Sequence, residues 1–143
     1  MKRLNCMLLI AIVLTMLFSC SGETPYELMH DSSEIKSIQI VKNLSYDTDS
    51  KDWVYESICE VEDIDLLAAE LTAMKCSRSY DDPPSIITES FVIIIDYENG
   101  DREFVAKHAA RVQRSDGRHG ESSVTFEGDR FNALIEKYIE MAE

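Results

Sequence analysis

The chain has 143 residues, with 27 Asp and Glu against 14 Lys and Arg and a formal net charge of −13 at pH 7. A surface this acidic is repelled by nucleic acid and by anionic lipid headgroups, so no nucleic-acid partner is expected. The length suits one domain with one modest core, and the acidity itself reads as a solubilising surface rather than a site.

Met1, Lys2 and Arg3 form a short basic start, and residues 6–18 are apolar apart from Thr15. That run falls short of the roughly 20 residues a bilayer crossing takes, and it fits the apolar region of a secretory signal peptide. Small residues follow: Ser19, Cys20, Ser21 and Gly22. Leu17-Phe18-Ser19-Cys20 resembles the lipobox of bacterial lipoproteins. The resemblance implies that residues 1–19 are removed and that Cys20 is lipidated as the first residue of the mature chain. The protein is then held at the extracytoplasmic side of a bacterial membrane by its lipid, without spanning the bilayer. Loss of residues 1–19 leaves 12 basic against 27 acidic residues, a net charge of −15.

Under the same reading Cys6 leaves with the signal and Cys20 takes the lipid, so Cys59 and Cys76 remain. Two cysteines in an exported domain suggest a disulfide. A helix over residues 63–74, about 18 Å long, would instead hold them far apart, because a disulfide needs Cα atoms within about 7 Å. A Cys59–Cys76 bridge and two separate thiols both stay open at this point.

Residues 20–33 read as the lipidated cysteine and a polar tether, with Gly22 and Pro25 early, and residues 34–143 as a single domain. Residues 35–42 (IKSIQIVK) alternate as a strand, residues 43–51 are turn-formers, and residues 52–59 (DWVYESIC) make a second strand with Trp53, Tyr55, Ser57 and Cys59 on one face. Glu62 and Asp63 open a helix whose apolar stripe is Ile64, Leu67, Leu71 and Met74, leaving Glu70 solvated. Residues 77–87 carry Pro83 and Pro84 and read as a loop. Asp81 and Asp82 in it supply too few oxygens for calcium, which takes about 6–8.

Residues 90–98 (SFVIIIDYE) are the most apolar strand and the expected sheet centre. Asn99-Gly100 predicts a two-residue hairpin turn. Counting back from that turn sets Ile95 opposite Phe104 and Ile93 opposite Ala106, so that Phe91, Ile93, Ile95, Phe104 and Ala106 share the face toward the helices. Residues 107–119 concentrate Lys107, Arg111, Arg114 and Arg118. These make a candidate interaction face, read against the alternative of cations balancing neighbouring acids. A last strand over residues 122–127 precedes a helix opened by Gly128-Asp129, with Phe131, Leu134, Ile135, Tyr138 and Ile139 in one stripe.

The order ββαβββα predicts a two-layer α+β domain: a five-stranded, mainly antiparallel sheet with two helices on one face. Tyr97, Asn99, Gly100 and Asp101 of the hairpin, and Phe131, Leu134 and Ile135 of the closing helix, resemble the pattern of small domains in bacterial surface lipoproteins. That likeness implies no activity. His30, His108 and His119 lack metal-ligand spacing, the Gly117–Gly120 turn has no helix behind it to cradle a phosphate, and no nucleophile elbow is present. The expectation is therefore a protein with no catalytic residues, no metal and no cofactor. Its partners are the membrane, through the lipid, and another envelope protein bound by a non-catalytic interaction module; the alternatives are a structural or accessory envelope protein without a small ligand, and a hydrolase or metal-dependent enzyme.

Overall fold

The computed structural model describes residues 22–47, 49, 52–79 and 90–143. Its strands are β1 (Glu23–Pro25), β2 (Ile35–Asp47), β3 (Asp52–Glu60), β4 (Lys75–Ser79), β5 (Phe91–Tyr97), β6 (Arg102–Ala106), β7 (Ala109–Gln113) and β8 (His119–Phe126). Two helices, α1 (Ile64–Ala73) and α2 (Arg130–Ala142), follow β3 and β8. All eight strands form one antiparallel sheet in the order β1-β4-β8-β7-β6-β5-β2-β3.

The sheet is apolar on both faces at its centre. Ile93 and Ile95 of β5 join Ile38, Ile40, Val105, Val124 and Phe126 in the main core, which also takes Leu67, Ala68 and Leu71 from α1 and Phe131, Leu134, Ile135 and Tyr138 from α2. The intervening residues Val92 and Ile94 pack with Val41, Phe104, Ala106 and Ala109 on the opposite face. A strand buried on both faces reads as a continuous apolar run, which accounts for the unbroken FVIII that opens β5. Helix α1 starts where Asp63 caps it, its side chain accepting from the Leu66 N–H at 3.0 Å. Phe131 fastens α2 by stacking on Phe126 at 4.9 Å between ring centroids.

This is a mostly β protein, and the expected five-stranded ββαβββα sheet is corrected in four places. The segment expected to tether the domain is folded: Glu23, Thr24 and Pro25 pair with β4, and Tyr26 is only 2 % exposed. A proline is tolerated there because β1 is an edge strand. Part of the expected loop is strand β4, whose sequence KCSRS places one residue, Cys76, in the core and so carries no apolar alternation. The expected single strand after Gly100 is two strands, since β6 and β7 reverse at Lys107-His108, a turn without the glycine or asparagine that announces one. Residues 80–89, with Asp81 and Asp82, lie outside the described residues.

The fourth correction is register. Tyr97 N–H bonds to the Asp101 carbonyl at 2.9 Å and Gly100 N–H to the Tyr97 carbonyl at 3.0 Å, so the loop is the three residues Glu98, Asn99 and Gly100. Gly100 has φ +84°, as the third residue of a three-residue hairpin loop requires. Ile95 therefore opposes Glu103, and Ile93 opposes Val105. One residue of slip turns every β6 side chain to the other face. Phe104 and Ala106 leave the helix side, Val105 takes their place, and Glu103 enters the core.

A bulge in β3 has a similar effect on its aromatic face. The pairing steps from Ile40↔Cys59 to Val41↔Ser57, leaving Ile58 as the extra residue. Cys59 accordingly reaches the main core, while Tyr55 stacks on Phe104 at 5.9 Å on the other side.

Candidate functional site

Glu103 is 2 % exposed yet carries a carboxyl group, so its partners must all come from within. Tyr26 Oη donates to its Oε1 at 2.5 Å, Tyr97 Oη to its Oε2 at 2.6 Å, and the Met29 N–H to its Oε2 at 3.0 Å. Burial, and then the adjacent carboxylate, push both tyrosine hydroxyls well above their usual range, so they remain donors at any ordinary pH.

Two residues earlier on the same side, Asp101 is 5 % exposed. It accepts from the Ser115 N–H at 2.8 Å, lies 2.8 Å from His30 Nε2, and has Arg114 Nη1 at 3.9 Å. The Ser115 bond first, and His30 second, hold its carboxyl down at about 2. His30 meets the Tyr97 ring edge-on at 4.8 Å. Together the two carboxylates fasten residues 26–30 across the β5–β6 hairpin. Oε1 of the buried acid takes one donor and Oε2 two, so Glu103 clamps the N-terminal strap, residues 26–30, onto the sheet.

The four cations of the candidate interaction face are each near an acid. Lys107 bonds to Asp129 at 3.1 Å, Arg111 stands 3.8 Å from Glu121, Arg114 reaches Asp101, and Arg118 bonds to Asp116 at 2.7 Å. Arg111 also lies over the Phe104 ring at 5.5 Å. Lys107 and Arg114 sit at opposite ends of β7, roughly 20 Å apart at 3.3 Å per residue. They are therefore not gathered into one patch. Glu70, expected to be solvated, instead links the helices, accepting from Lys137 Nζ at 2.6 Å and Tyr138 Oη at 3.0 Å.

Cys59 and Cys76 are free thiols on strands that have five others between them. Burial raises both pKa values, which suits packing rather than nucleophilic attack. Cys20 and residues 1–19 lie outside the described residues, among which no helix is long and apolar enough to cross a membrane. The described residues also hold no group of three His, Cys, Asp or Glu placed to ligate a metal.

Open concavities lie elsewhere on the described residues, one of about 630 Å³ between residues 26–32 and α1. A cleft of about 550 Å³ is bounded by residues 58–63, between β3 and α1, and by Tyr138, Met141 and Ala142 on the last turns of α2. Ile58 is 37 % exposed there and Met141 58 %. The polar side chains on its rim are acidic: Glu60, Glu62 and Asp63. Sequence reasoning passed over these residues. Ile58 and Met141 each have the spacing of an ordinary strand or helix residue, and their exposure in a shared cleft follows only from the tertiary fold. A smaller opening of about 300 Å³ beside the strap mixes Arg78 and Arg114 with Glu27 and Glu121, and so favours neither sign of ligand charge.

No protein-family model, no curated protein and no solved structure matches this chain.

Proposed function

We propose that the chain is a lipid-anchored extracytoplasmic protein whose domain is a non-catalytic binding module, with its binding surface at the sheet edge farthest from the anchor. The observation that carries this reading is the strand order. Strand β1 begins three residues after Cys20 and is one edge of the sheet; β3 is the other. Seven interstrand steps at about 4.8 Å separate them by about 34 Å along the sheet. Among the described residues, the exposed large apolar side chains are on elements other than β1: Leu44 on β2, Val54 and Ile58 on β3, Leu66 on α1 and Met141 on α2. Of these, Ile58 and Met141 come together on the lining of one cleft, and apolar surface gathered in a cleft is what a contact site offers a partner.

Two measurements test the reading. Intact mass of the membrane-extracted protein should show loss of residues 1–19 and a lipid on Cys20. Photo-crosslinkers placed at Ile58 and Met141 should give adducts in native membranes that crosslinkers at Glu23 and Glu27 do not. An unprocessed chain free in the cytosol, or equal adducts at both edges, would overturn it.

A further inference from the structure

We infer that the cleft between the β3–α1 connection and the end of α2 receives an extended protein segment in which an apolar side chain is flanked by lysine or arginine. The inference rests on the placement of the binding surface at this edge, and it adds the chemistry of the occupant. Three features determine that chemistry.

The floor is open and holds apolar side chains, with Ile58 and Met141 exposed beside Val61 and Ala142. Such a floor selects an apolar side chain, and its volume falls within the range of about 300–1,000 Å³ typical of ligand sites.

The charge around that floor has one sign. Glu60, Glu62 and Asp63 stand on the rim, and the lining contains no lysine or arginine. Asp63 is committed to capping α1, but Glu60 and Glu62 are exposed, and among the described residues neither makes an ion pair. The turn of α2 that borders the cleft carries no basic residue either. The nearest lysine on that helix, Lys137, is already bound to Glu70. A cation is thus favoured beside an apolar group. A second copy of the chain is not, because a protein of net charge −13 would bring acid to acid.

The shape favours an extended segment. β3 is the last strand of the described sheet, and its residues Ile58, Cys59 and Glu60 form one wall of the cleft. A segment lying along a sheet edge can take main-chain hydrogen bonds from the edge while its alternate side chains enter the pocket beside it.

The test uses the full-length protein in non-ionic detergent and a fluorescein-labelled hexapeptide alternating lysine or arginine with valine or isoleucine. The controls are its glutamate-for-lysine counterpart and spermine. The basic peptide should bind about tenfold or more tighter than the acidic one, and more weakly as salt rises. The double variant Glu60→Lys, Glu62→Lys should weaken it about fivefold or more, as two reversed exposed charges require. Met141→Asn, which removes the apolar contact without adding charge, should weaken it as well, and both variants should melt like the parent because they are surface changes. Binding unaffected by the charge reversal would overturn the inference, as would displacement by spermine at the peptide's own concentration, which would mean simple cation attraction. Adducts at Ile58 without peptide binding would remove the inference and leave the binding module standing. Equal or absent adducts at the two edges would remove the module reading instead.

Discussion

Glu103 sits in the core because Tyr26, Tyr97 and the Met29 N–H all donate to its carboxyl group. Such an arrangement is costly to break from one side only. Glu103→Leu leaves three buried donors without an acceptor and should cost roughly 3–5 kcal/mol in urea unfolding. Adding Tyr26→Phe and Tyr97→Phe removes two of the orphaned hydroxyls, so the triple variant should recover most of that loss; a triple variant as unstable as the single one would contradict the account. Asp101 works through protons. Its folded pKa of about 2 lies below the ordinary value of about 3.9, so its contribution is complete above pH about 4 and is lost as pH falls from about 4 to about 2. Replacing it with asparagine should flatten the urea midpoint across that window. The tyrosines act at the other extreme. Their raised folded pKa values mean that the unfolded chain ionises first, and stability should fall as pH rises past about 10.

At the scale of elements, the β5–β6 hairpin decides which β6 side chains meet the core, and Gly100 sets the hairpin. Its φ is +84°, and a methyl group in place of its hydrogen would come no closer than 3.4 Å to Ser115. An alanine there is thus penalised by its backbone conformation rather than by collision. Gly100→Ala should lower stability by about 1–2 kcal/mol and Gly100→Asn by less, as thermal melts would show. The same loop explains how far the sequence could be read. Both helices were legible, since Leu67 and Leu71, and Phe131, Leu134, Ile135 and Tyr138, repeat at helical spacing and are the residues buried. The core of β2 and the apolar run of β5 were legible for similar reasons. Asn99-Gly100 was a true turn signal with an ambiguous length, because glycine serves both as the second residue of a two-residue loop and as the third of a three-residue one. That single ambiguity hid Glu103. β1 and β4 were hidden differently: each is polar, and each is a strand only because a neighbour distant in sequence supplies its pairing. The cleft was illegible because no local pattern records that residues 58–63 and the end of α2 meet.

For the molecule as a whole, the N-terminal strap is part of the fold. Tyr26 sits in the main core, and its backbone N–H bonds to the Met74 carbonyl at 2.9 Å. A chain beginning at Ile35 would lack that ring and two of the three donors to Glu103. It should lose at least about 3 kcal/mol of stability and bind a hydrophobic dye that the longer chain does not. An unchanged melting temperature would show that the strap is dispensable. The strap also imposes an order on assembly. A polypeptide is made from its N-terminus, so Tyr26 emerges 77 residues before the carboxylate that holds it. The first described strand to be made, with the strap that follows it, is thus among the last to find its place. Until Glu103 arrives, the lower part of the core waits uncovered, and that interval is when a nascent chain is most exposed to proteases and to mispairing with its neighbours.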